Sequence, residues 1–197
     1  MKKLLSILLV GMLSVGMTAC GNSKDTAKKD DTSTPAPTET KKEEPKKEEK
    51  KNTTYDFGTE GVSGNWSIKV LEAKETNEVI IGGDEKKTTS EKFVVVKVQM
   101  TNKSNKAINW GPEEFKLIDT KNQTQYDPHF DTTQGINSKE TIFNKNDKVL
   151  GIYDNLNPNL SKESYISFEV PKNVVLSDCI LGNANDGSKE AVGYKLK

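Results

Sequence analysis

Few side chains in this 197-residue sequence are of a kind, or at a spacing, that does chemistry. The first is Cys20, which closes the run MKKLLSILLVGMLSVGMTAC. Lys2 and Lys3 open it, fourteen apolar or small residues come next from Leu4 to Met17, and Thr18-Ala19 bring small side chains up to the thiol. That order is a secretory leader, and its apolar stretch is short against the roughly 20 residues a spanning helix needs. Its end resembles a bacterial lipobox, with Met17 where such motifs usually carry Leu. The resemblance implies that Cys20 receives a diacylglyceryl group and becomes the first residue of the mature chain. Acyl chains anchor at about 0.8 kcal/mol per buried CH₂, and two suffice for stable attachment. Residues 1–19 are therefore expected to be a lipoprotein signal peptide, with the rest on the extracellular face of a cell membrane.

The second candidate is Cys179, in the apolar context SDCIL. With Cys20 acylated it has no partner for an intrachain disulfide, and a free cysteine in such a setting is expected to be buried and inert. The only histidine is His129, in DPHFD. Flanking carboxylates could orient it as a base, and pairing it with Cys179 would make a small hydrolase or thiol enzyme. A lone histidine beside a proline is more often a solvated loop residue, and no G-x-S-x-G, H-E-x-x-H or P-loop pattern occurs. No catalytic residue, cofactor or enzymatic activity is expected.

Metal sites are equally thin. Zinc wants several Cys or His ligands, and thioether copper wants methionines, of which Met100 alone comes after the leader. Calcium is the open alternative, through Asp127, Asp131, Asp147, Asp154 and Asn155, although Asp and Asn are ordinary turn residues and no EF-hand spacing occurs. The aromatics Trp66, Trp110, Tyr126, Phe130 and Tyr153 could form a carbohydrate or peptide surface. Trp66 is in phase with Ile68 and Val70 and reads as core; Trp110 is the one to test for exposure.

The chain beyond Cys20 must position these residues. Residues 20–54 are the lipidated cysteine and a tether. Its 34 residues after the cysteine hold nine Lys, eight acidic residues and Pro35, Pro37 and Pro45, with no aliphatic larger than Ala. Such a composition cannot bury enough apolar surface to order itself, and as a flexible chain reaches about 30–35 Å. Residues 55–197 are long enough for one domain with its own core. They carry 18 Lys against 21 acidic residues, and the chain has no arginine. A weakly acidic, arginine-free surface excludes nucleic acid as a partner. The lysine-only basic set, plentiful Asn and Ile, and Gly21 after the cysteine point to an AT-rich Gram-positive source.

Within the domain, period-two alternation dominates. Residues 66–71, 93–101 and 165–170 alternate cleanly, and Phe93 and Val95 make the second strand apolar on both faces at its start, as for a central strand covered on both sides. Further strands are expected at 78–81, 115–119, 123–126, 148–153, 178–181 and 191–196. Thr120-Lys121-Asn122 reads as a hairpin, Asn185-Asp186-Gly187 as a turn, and Gly111-Pro112 as the start of one helical turn through Glu114. No long helix is expected. The sum is an all-β, immunoglobulin-like antiparallel β-sandwich of about seven to nine strands.

Phe57-Gly58…Val62, the strand at 66–71, FVVVKV closing on TNKS, FKLID before Tyr126, and Leu156-Asn157-Pro158 leading to FEVP together resemble an uncharacterised immunoglobulin-like domain family. That family is common in secreted proteins and lipoproteins of Gram-positive bacteria, and its fold is similar to that of a mycobacterial secreted immunogenic antigen. Asn159 stands where the family usually has a glycine, and so does Asn122; Asn tolerates the left-handed region these turns require. The resemblance implies a fold and no catalytic residues. The expected role is an extracytoplasmic binding module, engaging a protein or cell-envelope partner by surface complementarity or edge-strand pairing.

Overall fold

The structure is a computed structural model and describes residues 53–183 and 192–197. The leader, Cys20, almost all of the tether and the Asn185-Asp186-Gly187 turn lie outside the described residues. Nine strands form two sheets: β1 (Thr53–Tyr55), β2 (Glu60–Ser63), β3 (Trp66–Gly82), β4 (Glu85–Asn102), β5 (Phe115–Asp119), β6 (Thr124–Tyr126), β7 (Ser161–Val170), β8 (Cys179–Asn183) and β9 (Val192–Lys195). One sheet runs β1-β9-β8-β5-β6 and the other β2-β3-β4-β7. The expected sandwich is present. Pairing is antiparallel except between β1 and β9, which run parallel.

Alternation builds the core. Trp66, Ile68 and Val70 of β3, Val94, Val96, Val98 and Met100 of β4, and Ile166, Phe168 and Val170 of β7 face Phe115, Leu117, Leu181 and Tyr194 from the other sheet, all essentially buried. β3 does not stop at Leu71. A register shift between Val70 and Glu72 turns Glu72 toward Lys97 and puts Ala73 beside Val96 against the core. Residues 78–81 are the far end of this same strand, not a separate one. β3 and β4 thus make one long hairpin.

Three expectations need correction. Residues 148–153 form no strand: Val149 makes one bridge to Glu163, and Val149 and Leu150 are buried by a loop. Two short strands, β1 and β2, stand where none is expected, because they carry too few residues to show a period. And the segment after His129 is helical: α1 (Phe130–Ser138) is an α-helix that continues as a π-helical turn over Lys139–Phe143. The helix lies on the outer face of the four-stranded sheet, where Ile136 covers Phe93, Val95 and Val79. This is the covering that the two apolar faces of β4 foretell. A Cβ on Gly135 would come within 2.4 Å of the Ile81 side chain, so only glycine lets α1 lie this close to the hairpin.

Gly61 has the same role in β2, where a Cβ would strike the Tyr55 ring at 2.3 Å. Tyr55 stacks on Tyr194, whose hydroxyl donates to the Gly61 carbonyl at 3.1 Å and joins the two sheets at this end. Turn expectations are met in part. Asn159 does adopt a positive φ of 61°, whereas in the β5–β6 hairpin the left-handed residue is Gln123 (φ 53°) rather than Asn122. Asn122 serves through its amide, which donates to the Asp119 carboxylate at 2.7 Å. The single helical turn is present at Pro112–Glu114 as a 3-10 turn.

Candidate functional site

The residues with nominal chemistry are dispersed. Cys179 begins β8 in the five-stranded sheet, is buried in the main core and donates its thiol to the Val175 carbonyl. Burial first, and then the neighbouring Asp119 and Asp178 carboxylates, push its pKa up to about 11. A thiol so placed is a poor nucleophile. His129 sits at the head of α1, beside the four-stranded sheet. Its Nδ1 accepts from the Thr132 N–H at 3.4 Å as a helix cap, its ring packs edge-on against Phe93, and Nε2 lies 3.8 Å from Glu169. The fold gives each of the two a structural partner and does not pair them. His129 is also no free loop residue, since the cap half-buries it.

The calcium candidates do not converge. Asp127 pairs with Lys116, Asp131 faces Lys87 at 3.9 Å in the first turn of α1, and the Asp147 carbonyl accepts from Lys162. Among the described residues, no group of three or more His, Cys, Asp or Glu side chains gathers. The aromatic set divides too. Trp66 and Trp110 are buried, the Trp110 indole donating to the Gly151 carbonyl at 3.2 Å, while Phe130 and Tyr153 are exposed. Tyr153 bonds Glu113 at 3.1 Å.

What the fold assembles instead is a groove of about 450 Å³ between the β3–β4 hairpin and the C-terminal end of α1. Val79, Val95, Ile136 and Tyr165 line its floor, and Lys74, Glu75, Glu78, Lys139 and Glu140 give it charges of both signs. Beside it Lys97 bonds Glu163 at 2.7 Å and stands 5.6 Å from the centre of the Tyr165 ring. The Glu163 bond, foremost, raises the Lys97 pKa and holds it charged. Ile80 in its lining is 40% exposed, and Ile142 and Phe143, in the π-helical turn that follows α1, are 66% and 59% exposed. The Phe143 ring rests on the hairpin tip, 3.4 Å from where a Cβ on Gly82 would stand. These three come from segments about sixty residues apart and share no common period, which is why the sequence does not show the group.

Sheet edges are the other surface available to a sandwich, and each is short, bent or covered. β1 and β6 are three residues long. β3 beyond its pairing with β2 carries register shifts at Val70/Glu72, Thr76/Glu78 and Ile80/Gly82, and the Thr76 hydroxyl takes up both the N–H and the carbonyl of Glu78. β7 is covered by α1 and by residues 148–150. Bulges, short strands and covers are how sheets avoid unwanted pairing.

The two facing sheets define a β-sandwich domain. The chain belongs to DUF4352, a domain family of unknown function, whose model matches residues 55–177. Among solved structures, an uncharacterised β-sandwich protein from Clostridium difficile 630 matches with a TM-score of 0.50 at 18% identity, over 78% of this chain and 100% of that one. MPT63, a secreted protein from Mycobacterium tuberculosis, matches with a TM-score of 0.50 at 13% identity, over 74% of this chain and 98% of that one. Identities this low speak to fold alone. No curated protein matches the chain.

Proposed function

We propose that this chain is a lipid-anchored extracytoplasmic binding module, held at the membrane through Cys20, that engages a protein partner at the hairpin–helix face. The observation that carries the reading is the groove, with Ile80 exposed in its lining and Ile142 and Phe143 exposed on the π-helical turn that follows α1. Three large apolar side chains kept in water beside a half-apolar groove are a cost that a docking surface explains. The reading as a binding module rather than an enzyme is supported by the burial of Cys179 and the capping role of His129, which leave neither poised for catalysis.

The test is photo-crosslinking in living cells from three positions, Ile80, Ile142 and Phe143, against exposed control positions Lys121 and Gln125 on the other sheet. Discrete protein adducts from these three alone are expected, and they should be lost from the membrane fraction when Cys20→Ser removes the anchor. Adducts of equal yield from both faces, or from neither, would sink the reading of this face.

A further inference from the structure

The outward edge of β7 is satisfied by groups that stand in for a strand. Glu163 exchanges bonds with the Lys148 carbonyl and the Leu150 N–H, at 2.8 and 2.9 Å. The next outward residue, Tyr165, donates its N–H to Asn137 Oδ1 at 3.0 Å and accepts from Asn137 Nδ2 at 2.7 Å. Ser167 donates to Thr133 Oγ1 at 2.9 Å, and its carbonyl accepts from Thr133 Oγ1 at 3.3 Å and from the His129 N–H at 2.7 Å. The match comes from two repeats: four helical residues advance about 6 Å, and two strand residues about 6.6 Å. Thr133 and Asn137 therefore meet Ser167 and Tyr165 in step.

The helix that supplies these groups is weak by itself. It reads FDTTQGINS, in which Gln134 is the one strong helix former and Gly135, two Thr, Asp131 and Asn137 all disfavour the helix. Nine residues are too few for a helix to hold alone, and only Ile136 anchors it in the small cluster of Val79, Phe93 and Val95. Lifting α1 would uncover outward N–H and C=O groups at strand spacing above an apolar floor. An extended peptide offers backbone groups at the same spacing in place of the Thr133 and Asn137 side chains.

We infer that α1 is a displaceable cover, and that the ligand of this face is an extended segment of a partner protein. The segment pairs with β7 between the bridges that Val149 makes to Glu163 and Pro128 makes to Phe168, and places an apolar side chain where Ile136 sits. This rests on the reading of the hairpin–helix face as the docking surface, and it gives a reason for the middle of the β7 edge being closed by a marginal helix and not by a strand.

The test is amide hydrogen exchange on the isotopically labelled full chain in detergent. Tyr165 and Ser167 point to α1, whereas Ile166 and Phe168 alternate toward β4, so one strand carries its own control. If the cover opens without the sheet, the first pair exchanges at least about 100-fold faster than the second. A blocked seven-residue peptide of alternating Thr and Val should slow the first pair. The same peptide with a central proline should not, because proline has no N–H to give. Thr133→Val combined with Asn137→Leu should tighten the alternating peptide about 10-fold by raising the open fraction. Equal protection of the two pairs overturns the proposal, as does a peptide that leaves Tyr165 and Ser167 unchanged or acts equally with its proline. Slowing that sets in on raising protein concentration without peptide makes the occupant a second copy, and overturns the partner strand. Should the double variant not fold, exchange in the unaltered chain still decides. Crosslinks from Ile80, Ile142 and Phe143 alongside equal protection would sink the cover while leaving the docking face standing.

Discussion

The two apolar clusters of this domain are built on different principles. Between the sheets, Trp66, Phe115, Phe168 and their neighbours are buried because strands of period two face one another. On the outer face of the four-stranded sheet, only Val79, Phe93, Val95 and Ile136 are buried together, and the helix above them is held largely by Thr133, Asn137 and the cap at His129. The first is a core that any chain of this pattern must form. The second is a polar clasp over a small apolar patch, whose strength is set by a few hydrogen bonds. On the proposed reading, stability and function are thereby separated: one cluster keeps the fold, and the other is the one that rearranges.

The sharpest way to test that division is to cut each side in turn. Phe168→Ala, in the main core, should lower the unfolding free energy by about 3–5 kcal/mol, measured by urea denaturation, because it leaves a cavity that the two sheets cannot close. Asn137→Ala should cost less, about 1–3 kcal/mol, since it leaves the Tyr165 N–H and carbonyl without their partner. Its exchange signature should be local, with faster exchange at Tyr165 and little change at Ile166. Equal loss of protection at both residues would show that the clasp and the core are one cooperative unit.

The smallest effect concerns pH. The Asn122 amide, foremost, with the N–H groups of Asn122 and Lys121, holds the Asp119 carboxyl below its ordinary value of 3.8. A carboxylate with a depressed folded pKa contributes stability that is present above its unfolded value and is lost as pH falls through the folded one. Melting temperature should therefore fall more steeply below about pH 4 in the unaltered protein than in Asp119→Asn. Parallel curves for the two would mean that the hairpin does not depend on this charge.

Much of the first cluster is legible in the sequence because its rule is local. The strand at 115–119 and the alternating runs at 66–71, 93–101 and 165–170 all stand where their alternation puts them. β3 reads only to Leu71 because a bulge breaks the period there while the strand goes on. Residues 148–153 mislead because Val149, Leu150 and Ile152 have strand-like composition but are buried by a loop. The second cluster is illegible for a physical reason. FDTTQGINS has neither apolar period nor helix propensity, and its helix is held by hydrogen bonds that β7 offers from about thirty residues away and by the burial of Ile136. Cys179 is legible as buried from its apolar neighbours, whereas the groove depends on residues 78–80 and 136–140 meeting, which no local pattern announces.

The parallel pairing of β1 with β9 bears on the order in which the domain completes itself. Thr53 lies opposite Val192, so β1, the first of the described strands, pairs with β9, the last of them. Synthesis delivers the amino-terminal end first, and the loop joining these partners is nearly the whole domain, among the slowest contacts to close. Until the final strand is free, Tyr55 has no Tyr194 to stack on, and that end of the sandwich stays open. Such a topology acts as a delay, since this end of the domain cannot close before β9 is available to β1.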